Sequence, residues 1–210
     1  MNQMVELVTA WAKYESHHPK ANLEEFCRWF LAKGRSTSSG LESLFDGDTP
    51  PRADIVLAKM IDRLARLHMI YVRMVMGEVK IDHFEEFSLL SAISNLKSPR
   101  KTEVIYHTIN ELSTGLNLLL DMKNRGYISE HDDPEDGRSK RLRLTPKGEK
   151  ILKACYQRFA KVPQMLFNDM TEDDIRLCIQ LLKNVEKKFS QLWLQHKGKT
   201  FNQVQKEVNE

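Results

Sequence analysis

A chain of 210 residues, 41% hydrophobic and 29% charged with a formal net charge of +3, carries enough apolar content for one or two packed domains. It holds no apolar run near the roughly 18 residues of a membrane helix and no basic-then-apolar N-terminus, so export and a membrane span are not expected. Cys27, Cys155 and Cys178 are unpaired by spacing, which points to a reducing, cytoplasmic setting rather than a disulfide scaffold.

Val5, Leu7, Val8, Trp11, Ala12 and Tyr14 suggest a short amphipathic helix, ended by His17-His18-Pro19. A second helix opens at Asn22 with Glu25 as its capping-box partner and buries Leu23, Phe26, Trp29 and Phe30. Residues 1–33 are therefore a helical extension whose aromatics need a surface to cover, and docking on a dimer is the preferred account. Residues 34–49 are rich in Gly, Ser and Asp and read as a flexible linker. Thr49-Pro50-Pro51 then starts a helix to about Met76 with Leu57, Met60, Leu64, Leu67, Tyr71 and Met74 spaced three and four apart. Segment 50–81 is assigned as a dimerisation helix.

From 82 to 96, Phe87, Leu90, Ile93 and Leu96 fall at helical spacing behind an acidic first turn. Lys97-Ser98-Pro99-Arg100-Lys101 breaks that helix, and Thr102 to about Asn110 fits a second, with Val104, Ile105 and Ile109 apolar. Ser113 or Thr114 can cap a third, which runs to Arg125 and stops at Gly126. Gly126-Tyr127-Ile128-Ser129 begins a strand, and four acids (Asp132, Asp133, Glu135, Asp136) with Pro134 and Gly137 form a turn. A second strand follows with Leu142 and Leu144 on one face and Arg141 and Arg143 on the other. The order is that of a winged helix-turn-helix over 82–145, within a mainly α fold carrying a small β-wing. Arg138 to Lys153 holds seven Lys or Arg against one acid, Glu149, so the modest net charge conceals a local basic patch. Such cations can lie along phosphates or in a minor groove; a merely solvated hairpin is the competing reading.

Asp136, Arg138, Ser139, Lys140, Arg141, Thr145, Lys147 and Gly148 match, in order, the wing pattern of the MarR (multiple-antibiotic-resistance regulator) family, which the chain resembles over about residues 50–195. The resemblance implies a homodimeric regulator binding double-stranded DNA, with a ligand-responsive repressor as the expected role. It also implies a pocket for a small-molecule effector between the dimer layer and the winged domain. It places the first two turns of the recognition helix, Ser113 to Arg125, at the major groove, with Ser113, Thr114 and Asn117 at phosphates or base edges. Arg138 becomes the minor-groove probe, and Asp136 the anchor that pairs with a nearby Arg. Lys140, Arg141, Lys97, Arg100 and Lys101 are phosphate candidates. Gly115, Leu116 and Leu120 stand where many relatives carry polar or basic residues, which leaves direct base readout sparse.

Thr171, with Asp174 as partner, caps a C-terminal helix whose stripe is Ile175, Cys178, Leu182, Val185, Phe189 and Leu192. Segment 146–197 is assigned as C-terminal dimerisation helices, since two long stripes exceed what a small winged domain can bury; packing on each other within a monomer is the alternative. Leu57, Leu64, Ile175, Leu182, Val185 and Phe189 are the expected dimer contacts, and 198–210 is a polar tail. No HExxH, CxxC, phosphate loop or GxSxG is present, and Pro134 and Arg143 occupy ligand positions of a calcium loop. We expect no enzyme activity, no cofactor and no metal. Cys155 and Cys178 read as core residues and Cys27 as more open. Two other classes stay open: a winged-helix scaffold for an acidic protein partner, and a thiol-based redox sensor.

Overall fold

The computed structural model describes residues 2–34, 52–136 and 139–209. The expected linker beyond Gly34, the helix start at Thr49-Pro50-Pro51, and Gly137 and Arg138 of the wing lie outside them. The chain divides into two compact units, Met1–Lys59 and Met60–Glu210.

In the first unit, α1 (Gln3–His17) and α2 (Leu23–Gly34) pack against each other. Asn2 caps α1 by accepting from the Met4 N–H at 2.9 Å. The Asn22–Glu25 capping box closes reciprocally at 2.9 and 3.1 Å. Trp11 meets Phe26 edge-on at 5.0 Å, Tyr14 leans on Trp29 at 4.9 Å, and Phe26 is buried. Each short helix thus lies against the other's rings and covers them in part, while Leu23, expected among the buried residues of α2, is exposed.

α3 (Ala53–Met76) begins in the first unit and runs into the second. Only its last turns, around Val72, enter the core of the second unit. That core gathers Leu89, Leu90 and Ile93 of α4 (Phe84–Leu96), Val104 and Ile105 of α5 (Lys101–His107), and Leu119 and Met122 of α6 (Leu112–Asn124). The hairpin of β1 (Ile128–Asp132) and β2 (Lys140–Leu144) adds Ile128 and Leu142. The strands pair antiparallel from Ile128↔Leu144 to Asp132↔Lys140, which puts Leu142 inward and Arg143 outward as the period-2 pattern requires. Arg100 bridges Arg141, and the Leu142 N–H donates to Pro99 O at 2.9 Å. Residues 99–100 thus act as a third sheet edge that the proline at 99 concealed in the sequence.

α7 (Pro146–Phe159), α8 (Lys161–Leu166), α9 (Glu172–His196) and α10 (Phe201–Asn209) complete the chain. Thr145 caps α7 by accepting from the Gly148 N–H at 3.1 Å while its own hydroxyl donates to Gly126 O at 2.6 Å. Thr171 caps α9, accepting from the Asp174 N–H at 3.2 Å. The stretch expected as a polar tail holds α10. Two helix limits also differ from those expected. α5 ends at His107 rather than near Asn110, because Ile109 takes φ 55 and is left exposed. α6 starts at Leu112 with Glu111 as its cap residue, so Ser113 and Thr114 lie in its first turn instead of capping it.

Candidate nucleic-acid interface

The helix that presents Ser113, Thr114 and Asn117 is positioned by a close approach. An added Cβ on Gly115 would lie 2.6 Å from two carbons of the Ile105 side chain, so the missing side chain is what lets α6 cross α5 at contact distance. With Gly115, Leu119 and Met122 buried, the opposite face of α6 carries Ser113, Thr114, Leu116, Asn117 and Leu120 to solvent. Gly115, expected only as a departure from polar readout, is a packing residue.

The C-terminal end of α6 is held by a polar network. Arg125 Nη1 lies 2.9 Å from Glu86, 2.9 Å from Asp82 and 3.1 Å from Asp121. Glu86 is fully buried, and its other oxygen accepts from the Asp82 and His83 N–H groups at 2.9 and 3.0 Å. These three acids are close enough together to hold a cation, and the guanidinium fills that role. Arg125 also stacks 4.6 Å from the Tyr127 ring centroid, whose hydroxyl donates to Lys80 O at 2.6 Å. Gly148 faces the same residue: a Cβ there would sit 2.0 Å from Tyr127 O. Lys147 donates to Arg125 O at 2.7 Å. The Thr-Pro-Lys-Gly run therefore joins α7, the base of the wing and the end of α6.

At the hairpin, most cations face acids. Asp133 has a fully buried side chain; Arg100 Nε donates to its Oδ2 at 2.7 Å, and Arg141 Nε faces its Oδ1 at 3.0 Å, off the line of a hydrogen bond. The Glu135 N–H, donating to Oδ1 at 3.0 Å, and then the two guanidinium groups hold the Asp133 carboxyl at about 2, against an ordinary 3.8, despite its burial. Arg141 also donates to Ser98 O at 3.2 Å. Lys101 and Lys123 each lie 2.7 Å from Glu130, lowering that carboxyl's pKa, and Lys140 pairs with Asp132. Asp136, the expected anchor, accepts from Ser139 Oγ at 2.7 Å across the turn. The buried anchor is Asp133, which the sequence places in the turn without a distinct role; its proximity to Pro134 gives no signal of burial. Arg138 lies outside the described residues, and Lys97 is exposed at the end of α4.

Residues 88–148 match the family model described as "Winged helix DNA-binding domain". The segment is a winged helix DNA-binding domain. Transcriptional regulator HosA of Escherichia coli O111:H- is 25% identical over 100 residues, covering 48% of this chain and 74% of HosA. A mutant MarR from E. coli, solved with operator DNA, superposes with a TM-score of 0.57 at 21% identity over 61% of this chain and 92% of MarR. BpsR of Bordetella bronchiseptica, described with regulation of its DNA binding by 6-hydroxynicotinic acid, gives 0.59 at 17% identity over 66% of this chain and 98% of its own. At these identities the structures speak for the fold, and the winged helix domain together with that fold bears out the resemblance to the MarR family.

Outside the winged helix domain, α3 and α9 carry the expected dimer residues. Leu57 and Leu64 on α3, and Leu182, Val185 and Phe189 on α9, are all exposed large hydrophobics; Ile175 is half-buried. α9 has no buried residue at all. Cys178, expected in a core, is exposed on this uncovered face, as is Cys27 on α2. Cys155 is buried, and burial, reinforced by the Glu86 charge, pushes its thiol up to about 11, which keeps it protonated and unreactive near neutrality. Among the described residues, no helix is long and apolar enough to cross a membrane.

Proposed function

We propose that this chain is a homodimeric, cytoplasmic transcription regulator that binds double-stranded DNA sequence-specifically, acting as a ligand-responsive repressor and not as an enzyme. The observation that carries the reading is the outer face of α6, where Ser113, Thr114 and Asn117 stand exposed on a helix whose other face is locked by Gly115 and Arg125. Recognition helices of this type offer their first turns to the major groove. The uncovered stripes on α3 and α9 support the homodimer, because contiguous apolar faces of this kind mark association surfaces. A cleft of about 550 Å³ lined by Arg73, Met76, Gly77, Lys80, Asp82 and Arg125 supports a small-molecule effector. DNA binding by BpsR, by its own description, is regulated by 6-hydroxynicotinic acid.

Binding of the purified protein to DNA flanking its own gene, with random duplex as competitor, tests the assignment. Footprints should show a pseudo-palindrome with half-site centres about 10 base pairs apart, one duplex turn. Equal affinity for both duplexes would instead favour a winged-helix scaffold for an acidic protein.

A further inference from the structure

Among the described Lys and Arg residues from 97 to 143, Lys97 and Arg143 alone have no acid partner, the others being paired with Glu86, Glu130, Asp132 or Asp133. They also border the same open depression, of about 410 Å³, together with Ser94, Ser98 and, on the α7 side, Glu149. The backbone that brings them together is strained. Lys97 and Ser98 are consecutive non-glycine residues with φ of 51 and 77, a region that L-residues occupy at a cost and that a fold retains only where its surroundings enforce it. Here the hairpin enforces it: Ser98 Oγ lies 2.9 Å from His131 Nε2, Ser98 O accepts from Arg141, and Pro99 O accepts from the Leu142 N–H. Arg143 sits on the outward face of β2, one residue beyond that last hydrogen bond.

We propose that Lys97 and Arg143 form a paired contact for the phosphate backbone of duplex DNA at the base of the wing. The proposal rests on the DNA-binding reading above. Two exposed cations contribute little to holding a small free anion in an open depression that also contains Glu149. Along a polyanion the same two charges each displace a condensed counterion, and their effect adds to that of every other neutralised phosphate. The acid pairs on Arg100, Lys101, Lys140 and Arg141 make those side chains structural first, because reaching a phosphate means leaving a carboxylate. Lys97 and Arg143 hold no such pair, although Glu149 borders the same depression.

The test uses the full chain and compares Lys97→Asn, Arg143→Ala and the double variant with wild type by fluorescence anisotropy across a salt series. The duplexes are the DNA flanking the gene and a scrambled version. Asn tolerates the left-handed backbone, so Lys97→Asn removes the charge while keeping the turn, and its thermal midpoint should match wild type. The dependence of log affinity on log salt should flatten by about 0.9 for each phosphate left without its cation in each protomer, equally on both duplexes because phosphates carry no sequence. Arg143→Lys should keep the slope, and Lys20→Ala, in the first unit, should leave it unchanged. A folded double variant with the wild-type slope overturns the inference and leaves the DNA reading standing. Failure of the wild type to bind either duplex overturns both.

Discussion

Arg125 Nη1 lies 2.9 Å from Oε2 of Glu86, a carboxylate with no solvent exposure, and the pair ties the end of α6 to the start of α4. Removing one partner of a buried ion pair strands the other charge, at about 3–5 kcal/mol. Arg125→Met is therefore expected to lower unfolding free energy by that amount in urea titrations. Glu86→Leu/Arg125→Met should recover part of the loss, since no buried carboxylate is then left unpaired. A cost below about 1 kcal/mol, the scale of exposed pairs, would show that water screens the network.

Gly115 supports a prediction that changes sign with its neighbour. Ala is about 1 kcal/mol better than Gly inside a helix, but a Cβ at 115 meets Ile105 at 2.6 Å, and overpacking a core costs about 1–3 kcal/mol. Gly115→Ala should destabilise the wild type and stabilise an Ile105→Ala background, where the new methyl fills space. Equal signs in the two backgrounds, measured by thermal unfolding, would contradict the close crossing of α5 and α6.

The order of three helices and a hairpin was legible because apolar spacing is a local signal, whereas Thr145, Lys147 and Gly148 were placed only by their match to the family's wing pattern. The Asn22–Glu25 and Thr171–Asp174 caps are local signals too. What escaped was set by tertiary packing. Glu86 reads as one more acid in a helix's first turn until Arg125, 39 residues away, is seen against it. Asp133 is one of four turn acids in the sequence, and only the approach of Arg100 from the strand edge makes it the buried one. Cys178 lies on an apolar stripe, yet a stripe does not say whether its cover comes from the same chain; in this fold it stays open.

Asp133 should leave a mark on acid stability. An unfolded aspartate titrates near 3.8 and the folded one at about 2, so its contribution is complete above the unfolded value and is lost as pH falls from about 4 towards 2. Asp133→Asn should be less stable than wild type at pH 6, and the difference should shrink across that window. Chemical denaturation at pH 6, 4 and 3 measures this. A difference independent of pH would mean that the charge on Asp133 is not what holds Arg100 and Arg141.

The α3 and α9 stripes predict a dimer at micromolar concentration, so sedimentation equilibrium should give twice the 24.5 kDa chain mass. Leu182→Glu or Val185→Asp places an unpaired charge in the apolar layer and should shift the mass towards the monomer. Thiol labelling offers an independent measurement: Cys155 should react only on unfolding, whereas Cys178 should be slower to react in dimer than in a dissociating variant. A wild-type mass near the monomer at all concentrations would refute the assembly.

Variants at Asn117 and Arg138 test whether readout divides between the helix and the wing. Asn117 is exposed on the outer face of α6, and a bidentate contact of Asn with an adenine edge discriminates by about 1–3 kcal/mol. Asn117→Ala should therefore relax preference at one base pair in each half-site while leaving the salt dependence nearly unchanged. Arg138 is read from the motif as the minor-groove probe; with that role, which depends on backbone and groove shape, Arg138→Ala should weaken binding to operator and scrambled DNA alike and flatten the salt dependence by about one unit per phosphate no longer neutralised. Anisotropy titrations of both variants on both duplexes separate the two roles, because specificity moves with one and salt slope with the other. If Arg138→Ala binds both DNAs with wild-type affinity and slope, the wing tip is a solvated hairpin and its assignment to DNA is withdrawn.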